Sequence, residues 1–199
     1  WSDDQRSRLA VALKEIRFSS GRSVSRAHQT GILRIGVPAD YAPFAWQAGE
    51  QLVGADIELT AALAEQLHLT PVYVRSSWAS LLSDLDRDRF DVAAGGISVT
   101  PARQARATFS VALVTGGKTA LGRCSDKSRF TSMDRVNQPG VRVIENPGGT
   151  NEAFARRHLT QADLTIHKDN ISVFDELKDG RADVMVTDDL EIARITRLE

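Results

Sequence analysis

Residues 85–95 read L-D-R-D-R-F-D-V-A-A-G, and residues 177–187 read L-K-D-G-R-A-D-V-M-V-T. At an offset of 92 residues, the two stretches share leucine, arginine, aspartate and valine at matching positions. Each predicts the end of a helix, a tight turn and an apolar strand, and strand-like runs precede them at 72–74 and 164–166. Any two helix–strand units can look this similar, so chance similarity stays open. The alternative is that the chain contains two similar α/β lobes.

Around these stretches, short apolar strands alternate with helices whose apolar residues recur at three- and four-residue spacing. This alternation is typical of an α/β fold with largely parallel sheets, in which ligands bind beyond the carboxyl ends of the strands. The predicted strands are 32–37, 72–75, 90–94, 141–145, 163–166 and 182–186. The predicted helices are 55–67, 78–88, 150–159, 170–179 and 189–198.

The N-terminal part of the chain departs from this alternation. Leu9, Leu13 and Ile16 predict one face of a helix over 3–16. The stretch from Ser19 to Arg26 is rich in serine, arginine and glycine and predicts a loop or linker. The predicted domains are 1–30 for this helix and linker, 31–114 for the first lobe, 115–188 for the second lobe and 189–199 for the start of a return to the first lobe.

Charge and hydropathy restrict the class of partner. The 25 lysine and arginine residues balance 26 aspartate and glutamate residues, whereas a protein that binds nucleic acid or an anionic membrane would show a basic excess. No apolar run approaches the roughly 20 residues of a membrane-spanning helix. The first residues lack the apolar centre of a signal peptide, so we expect a cytosolic or an already processed chain. A small anionic ligand remains compatible, because a few placed donors can bind one.

The chain shows no pattern for a metal or an organic cofactor. Cys124 is the single cysteine, so it can form neither an internal disulfide nor a thiolate metal site, and the four histidines lack metal-ligand spacing. T-G-G-K-T at 115–119 resembles part of a phosphate-binding loop, but Ala112 replaces its first glycine and strand-like residues follow it. We therefore expect no cofactor, and Lys118 becomes a single cation at a crossing between lobes.

The first polar motif follows the strand at 90–94 and reads G-G-I-S-V-T-P-A-R at 95–103. It offers bare backbone N–H groups, the hydroxyls of Ser98 and Thr100, and Arg103 one helical turn after Pro101. Such a set is suited to a carboxylate, which arginine can bind with two parallel hydrogen bonds. Taken alone, the motif is equally compatible with an arginine on a surface helix.

The second polar motif follows the strand at 141–145 and reads E-N-P-G-G-T-N-E at 145–152. Thr150 is predicted to be the N-cap of the helix that follows, with Glu152 in its first turn. The two glycines before Thr150 fit a close approach of the backbone to a ligand, and they fit a tight turn nearly as well.

The third polar motif, V-T-D-D-L-E at 186–191, ends the second repeat. The spacing of Asp188 and Glu191 fits a capping box, which gives Glu191 a purely structural explanation. Aromatic residues also follow strand ends, with Tyr41 and Phe44 after the first strand and Trp78 after the second. They fit the wall of a ligand site or the core, and Phe44 fits the core better.

Taken in order, these motifs resemble periplasmic amino-acid-type solute-binding proteins from about residue 30 to the end of the chain. The stretches that match are G-I-L-R-I-G-V-P-A-D-Y-A-P-F, V-G-A-D-I-E-L, D-R-F-D-V-A-A-G-G-I-S, T-P-A-R-Q-A-R-A-T-F-S and A-D-V-M-V-T-D-D-L-E. Within that superfamily, G-G-K, L-G-R-C-S, N-P-G-G-T-N-E and the T-D-x-x-E ending are most similar to the cyclohexadienyl dehydratases. The resemblance implies a two-lobed, Venus-flytrap α/β fold in the periplasm. It also implies a further C-terminal part of the first lobe beyond residue 199, with a second cysteine that pairs with Cys124.

The dehydratase resemblance implies that prephenate or L-arogenate loses water and CO₂ together, with neither metal nor organic cofactor. Glu191 would be the general acid, and its pKa would be raised by burial near other anions. Arg103, the backbone of Gly96–Ser98 and Thr100 would hold a substrate carboxylate. The remaining substrate-binding residues would be Thr150 and Asn151 in the second lobe, Asn146, Lys118, Asp188 and Asp40 in the polar wall, and Tyr41 and Trp78 against the ring.

A non-catalytic receptor that delivers an amino acid or small carboxylate to a transporter is the alternative function. It would share the binding residues, but Asp188 would pair with the α-amino group of the ligand and Glu191 would only cap its helix. The choice between prephenate and arogenate stays open, and so does a second copy of the chain as a partner.

Overall fold

The computed structural model describes residues 22–198, so the helix predicted at 3–16 lies outside the described residues. The chain divides into two compact units, of which one ends at Thr115 and the other begins at Gly116. Both units combine helices with a sheet that contains parallel strands, which confirms the predicted α/β class. The domain bounds given above stay a prediction.

In the first unit, the described elements are α1 (Arg22–Thr30), β1 (Ile32–Val37), β2 (Asp40–Tyr41), β3 (Ala45–Ala48), β4 (Gln51–Val53), α2 (Ala55–Gln66), β5 (Thr70–Arg75), α3 (Leu81–Asp86), β6 (Val92–Ala93) and α4 (Pro101–Gln104). Strands β5, β1 and β6 form a parallel sheet in that order. Leu33, Ile35 and Val37 of the central strand are buried together with Ile57 and Leu63 of α2. The alternation of these strand residues explains the contact, because every second side chain points to the same face.

A small antiparallel sheet of β2, β3 and β4 follows the first strand. Asp40 lies opposite Trp46, and Tyr41 lies opposite the buried Ala45. The sequence did not predict this sheet, whose strands are only two to four residues long. It fixes the backbone of Asp40 and Tyr41.

In the second unit, the described elements are β7 (Lys118–Gly122), a 3₁₀ turn (Cys124–Asp126), α5 (Met133–Val136), β8 (Arg142–Glu145), α6 (Thr150–His158), β9 (Asp163–Ile166), α7 (Val173–Lys178), β10 (Val184–Asp188) and α8 (Asp189–Leu198). The sheet order is β7, β10, β8, β9, with β7 antiparallel to β10 and the other pairs parallel. Val143 and Val184 pack with one apolar cluster, whereas Ile144 and Met185 pack with another. Neighbouring residues of a strand thus supply two separate cores.

The repeated stretches have the same structural role in both units. Asp91 accepts a hydrogen bond from the backbone N–H of Arg34 (2.8 Å) and from its side chain, and its own N–H donates to the carbonyl of Arg34 (2.9 Å). Asp183 does the same with Arg142, at 3.0 Å and 2.8 Å for the two backbone contacts. Hydrogen bonds from Arg142 lower the pKa of Asp183 to about 2. This Arg–Asp clasp confirms that the repeat marks two similar units.

The linker predicted from Ser19 to Arg26 is wrong from Arg22 onward, because α1 occupies Arg22–Thr30. Ala27 is fully buried and Arg26 pairs with the buried carboxylate of Asp91. Two apolar residues, Val24 and Ala27, give too weak a periodicity in this polar stretch to predict a helix. The ion pair with the distant Asp91 stabilises the helix. No helix within residues 22–198 combines the length and apolar character needed to cross a bilayer.

Candidate active site

Lys118 is the centre of a polar cluster in the second unit. It begins β7 opposite Asp188, the last residue of β10, and its Nζ donates to Asp188 Oδ1 at 2.8 Å. The same ammonium donates to Thr150 Oγ1 at 2.9 Å and to Asn151 Oδ1, both at the start of α6. A lysine has three N–H donors, so these three acceptors use all of them.

A chain of hydrogen bonds leads from Lys118 to Glu191. The amide Nδ2 of Asn151 donates to Asn146 Oδ1 at 2.9 Å and to Thr187 Oγ1 at 3.1 Å. The hydroxyl of Thr187 in turn donates to Oε2 of Glu191. All four of these side chains are buried. The sequence predicted Lys118, Asn146, Thr150, Asn151, Asp188 and Glu191 as site residues, and the structure brings them together.

Glu191 lies in the first turn of α8 and is only 5% exposed. Burial raises its pKa to about 7, and the negative charge of Asp188 adds to this effect. The hydrogen bond from Thr187 and the charges of Lys118 and Arg194 act in the opposite direction. The carboxyl therefore keeps its proton up to neutral pH, which is the property required of a general acid there.

Glu145, the last residue of β8, is a buried carboxyl that was not predicted as a site residue. It is 0% exposed, its Oε1 accepts the N–H of Val186 at 2.8 Å, and its Oε2 has no hydrogen-bond partner among the described residues. Burial raises its pKa to about 8, and Glu191 adds to this whereas Lys118 opposes it. Strand alternation could have found it, because Val141, Val143 and Glu145 occupy alternate positions and therefore the same face.

Replacing Glu145 by glutamine should stabilise the protein at pH 8 and leave its stability at pH 4.5 nearly unchanged. The folded chain keeps the Glu145 proton up to about pH 8, whereas the unfolded chain loses it near pH 4.5. The unfolding free energy of the parent therefore falls as pH rises between these values, by on the order of 3 kcal/mol from this group. Urea denaturation of parent and variant at several pH values measures the difference. A difference that does not change with pH would show that Glu145 does not keep its proton.

The predicted carboxylate site in the first unit is organised as a short turn around Arg103. Its guanidinium donates to the carbonyl of Ser98 at 2.9 Å, and its backbone N–H donates to the hydroxyl of Thr100 at 3.3 Å. Thr100 is thus the N-cap of α4. The prediction of free backbone N–H groups is wrong for Gly95 and Gly96, because both N–H groups donate to one carboxylate oxygen of Asp56 at 2.8 Å.

The predicted aromatic residues lie together in the first unit. The rings of Tyr41 and Trp78 meet edge to face with centroids 6.0 Å apart, and the indole N–H of Trp78 donates to Asp40 at 2.9 Å. Gly96 has a φ of +71°, and a side chain there would come within 2.6 Å of the Tyr41 ring. Gly96 is therefore needed for backbone conformation and for the position of Tyr41.

Two features of the N-P-G-G-T-N-E motif have local explanations. The prediction that Thr150 is an N-cap is wrong, because Gly149 occupies that position and Thr150 is the first helical residue. The hydroxyl of Thr150 accepts a hydrogen bond from Lys118 instead. Gly148 has a φ of +75°, and its N–H donates to Glu152 at 2.6 Å, so a tight turn explains this glycine.

In residues 22–198, no group of three or more His, Cys, Asp and Glu side chains is placed to hold a metal ion.

Residues 33–192 match the bacterial extracellular solute-binding proteins, family 3. The chain belongs to this family. Among its relatives, cyclohexadienyl dehydratase of Pseudomonas aeruginosa is 41% identical over 176 residues, which are 88% of this chain and 66% of that protein. The chain thus spans about two thirds of the length of this relative.

Solved structures of amino-acid-binding proteins are similar as well. The crystal structure of an ancestral amino acid-binding protein, described as a precursor of cyclohexadienyl dehydratase, has a TM-score of 0.84 and 32% identity over 88% of this chain and 78% of that one. An amino acid ABC transporter substrate-binding protein of Streptococcus pneumoniae, bound to L-arginine, has a TM-score of 0.79 and 26% identity over 86% of this chain and 72% of that one. The two-lobed fold implied by the sequence therefore agrees with the family.

Proposed function

We propose that this protein is a lyase that converts prephenate, or arogenate, to phenylpyruvate, or phenylalanine, by loss of water and CO₂. The main observation behind the proposal is Glu191, a buried carboxyl with a pKa raised to about 7 that receives a hydrogen bond from Thr187. The 41% identity to a cyclohexadienyl dehydratase supports the same chemistry. A helix-capping glutamate would not need burial or a retained proton.

In the proposed reaction, the proton of Glu191 joins the leaving hydroxyl of the substrate and forms water. The C–O bond breaks with its electron pair on oxygen. The C–C bond to the ring carboxylate breaks at the same time, so CO₂ leaves and the bonding pair completes the aromatic ring. Each turnover consumes one proton, which Glu191 recovers from water, and the balance requires no oxidant or reductant.

The other predicted site residues receive binding roles in this proposal. We assign Arg103 to a substrate carboxylate, because a guanidinium can bind one with two hydrogen bonds. The hydroxyls of Ser98 and Thr100 and the backbone of Ser98 would border that carboxylate. Tyr41 and Trp78 would pack against the ring, and Asp40 would belong to the polar wall. The N–H of Gly96 donates to Asp56, so Gly96 would act through the position of Tyr41. In the second unit, Asn146, Thr150, Asn151 and Asp188 would form the polar wall, with Lys118 as the cation that holds it together.

A non-catalytic amino-acid receptor is the second candidate, and the arginine-bound relative favours it. In such a receptor Asp188 would bind the ammonium group of the ligand. Here Asp188 Oδ1 already accepts from Lys118, so a ligand ammonium would have to share that carboxylate with a second cation. This contact favours a ligand without an amino group, and prephenate is therefore the first substrate to test.

The test is to incubate the protein with prephenate at pH 7 and to follow phenylpyruvate against a protein-free control. Turnover above the control is the expected result. Titration calorimetry with L-arginine and the other common amino acids runs in parallel. Tight binding of an amino acid by a folded protein that does not turn over prephenate or arogenate would establish the receptor function instead.

We further propose a periplasmic location, because the family is described as extracellular. Self-association stays a prediction.

A further inference from the structure

The side-chain amide of Asn151 has only one orientation that satisfies its neighbours. An ammonium group donates hydrogen bonds and accepts none, so the amide atom that faces Lys118 must be the oxygen. The amide nitrogen then faces the other way, toward Asn146 Oδ1 at 2.9 Å and Thr187 Oγ1 at 3.1 Å. Lys118 therefore determines the direction of both hydrogen bonds that Asn151 donates.

The hydroxyl of Thr187 accepts one of these two hydrogen bonds and donates its own hydrogen to Glu191. A threonine hydroxyl has one hydrogen, and here its oxygen accepts from Asn151. Its hydrogen is directed at Oε2 of Glu191. Because Oε2 of Glu191 accepts this hydrogen bond, it cannot also carry the carboxyl proton on the side that faces Thr187. The two oxygens of Glu191 are therefore not equivalent.

We propose that Thr187 is a positioning residue, whose hydroxyl donates to Oε2 of Glu191 and thereby places the acid proton on Oε1. This inference rests on the proposed function, in which Glu191 protonates the leaving hydroxyl. The O–H bond at Oε1 breaks, the proton joins the leaving hydroxyl to form water, and both electrons of the O–H bond stay on Glu191. The hydrogen bond from Thr187 then stabilises the carboxylate that remains.

Several charged groups also act on Glu191, and the test must leave them in place. Asp188 of β10 raises the pKa of Glu191, whereas Lys118 of β7 and Arg194 of α8 lower it. The charge of Glu191 in turn raises the pKa of Glu145 of β8. Substitution of Thr187 changes none of these charges, so a shift in titration reports the lost hydrogen bond.

The test compares Thr187→Val, which removes the hydroxyl at nearly constant volume, with Thr187→Ser, which keeps it. We expect Thr187→Val to lower kcat about tenfold or more and to move the alkaline fall of kcat to higher pH by about one unit, because the hydrogen bond lowers the pKa of Glu191. Thr187→Ser should restore most of both. Thr187→Ala replaces the valine variant if circular dichroism shows that the latter is unfolded.

A second readout does not depend on turnover. In protein labelled with carbon-13 at glutamate carboxyls, the resonance of Glu191, assigned with Glu191→Gln, should titrate at higher pH in Thr187→Val than in the parent. If the resonance shifts but the protein has no dehydratase activity, the inference about the hydrogen bond stands and the proposed function is rejected. An unchanged resonance, or a lower kcat with an unmoved pH profile, would overturn the positioning role of Thr187.

Discussion

Glu191→Gln should reduce kcat for prephenate by about 10²–10⁴-fold, which is the usual contribution of a general acid. Glutamine has nearly the same shape and keeps an oxygen that can accept from Thr187, but it has no proton to give to the leaving hydroxyl. The substrate-binding groups stay in place, so KM should change much less than kcat. Steady-state kinetics of phenylpyruvate formation at pH 7 measures both.

The matched control is Glu65→Gln, since Glu65 is exposed on α2 in the other unit. It should have the kinetics of the parent.

In the parent, kcat should fall as pH rises through about 7, because Glu191 gives its proton to water in that range and only the protonated form is active. If Glu191→Gln keeps full activity, another group supplies the proton.

Lys118→Met should lower kcat/KM by about two orders of magnitude and destabilise the protein by about 2 kcal/mol. The methionine cannot donate to Thr150, Asn151 or Asp188, so Asp188 keeps a partly buried charge without its lysine partner. The amide of Asn151 also loses the contact that fixes its orientation, and the hydrogen bond between Thr187 and Glu191 is no longer directed. Kinetics and urea denaturation give the two quantities separately.

A double variant separates the two effects of losing Lys118. Lys118→Met with Asp188→Asn removes the uncompensated charge, so it should recover most of the lost stability but little of the activity. Lys168→Met is the control, because Lys168 is exposed in the same unit. Recovery of activity together with stability would mean that Lys118 matters only for folding.

The long, periodic elements could be predicted from the sequence, and the short ones could not. The helix predicted at 55–67 is observed at Ala55–Gln66, and the strand predicted at 32–37 is observed at Ile32–Val37. Strands β2, β3 and β4 were missed because two to four residues are too few to show alternation. Helix α1 was missed because its stability depends on a distant carboxylate, Asp91.

The same distinction holds in the candidate site. The resemblance to the dehydratases placed polar residues near the ends of β8 and β10, together with Lys118, in one site, and the sheet brings those positions together. Strand β7 itself, which Lys118 begins, was not predicted. Hydrogen bonds between residues far apart in the sequence could not be predicted, such as those from the N–H groups of Gly95 and Gly96 to the carboxylate of Asp56. Thr187 and Glu145 were missed because each directly follows buried apolar residues of its strand, where hydrophobic burial is the ordinary expectation.

The buried carboxyl of Glu145 also affects the heat of unfolding. Folded protein keeps this proton up to about pH 8, but the unfolded chain releases it above about pH 4.5. Unfolding near pH 6.5 therefore delivers the proton to the buffer. A calorimeter records the heat of buffer protonation together with the heat of unfolding, so phosphate and Tris would give different apparent enthalpies for the same molecular event.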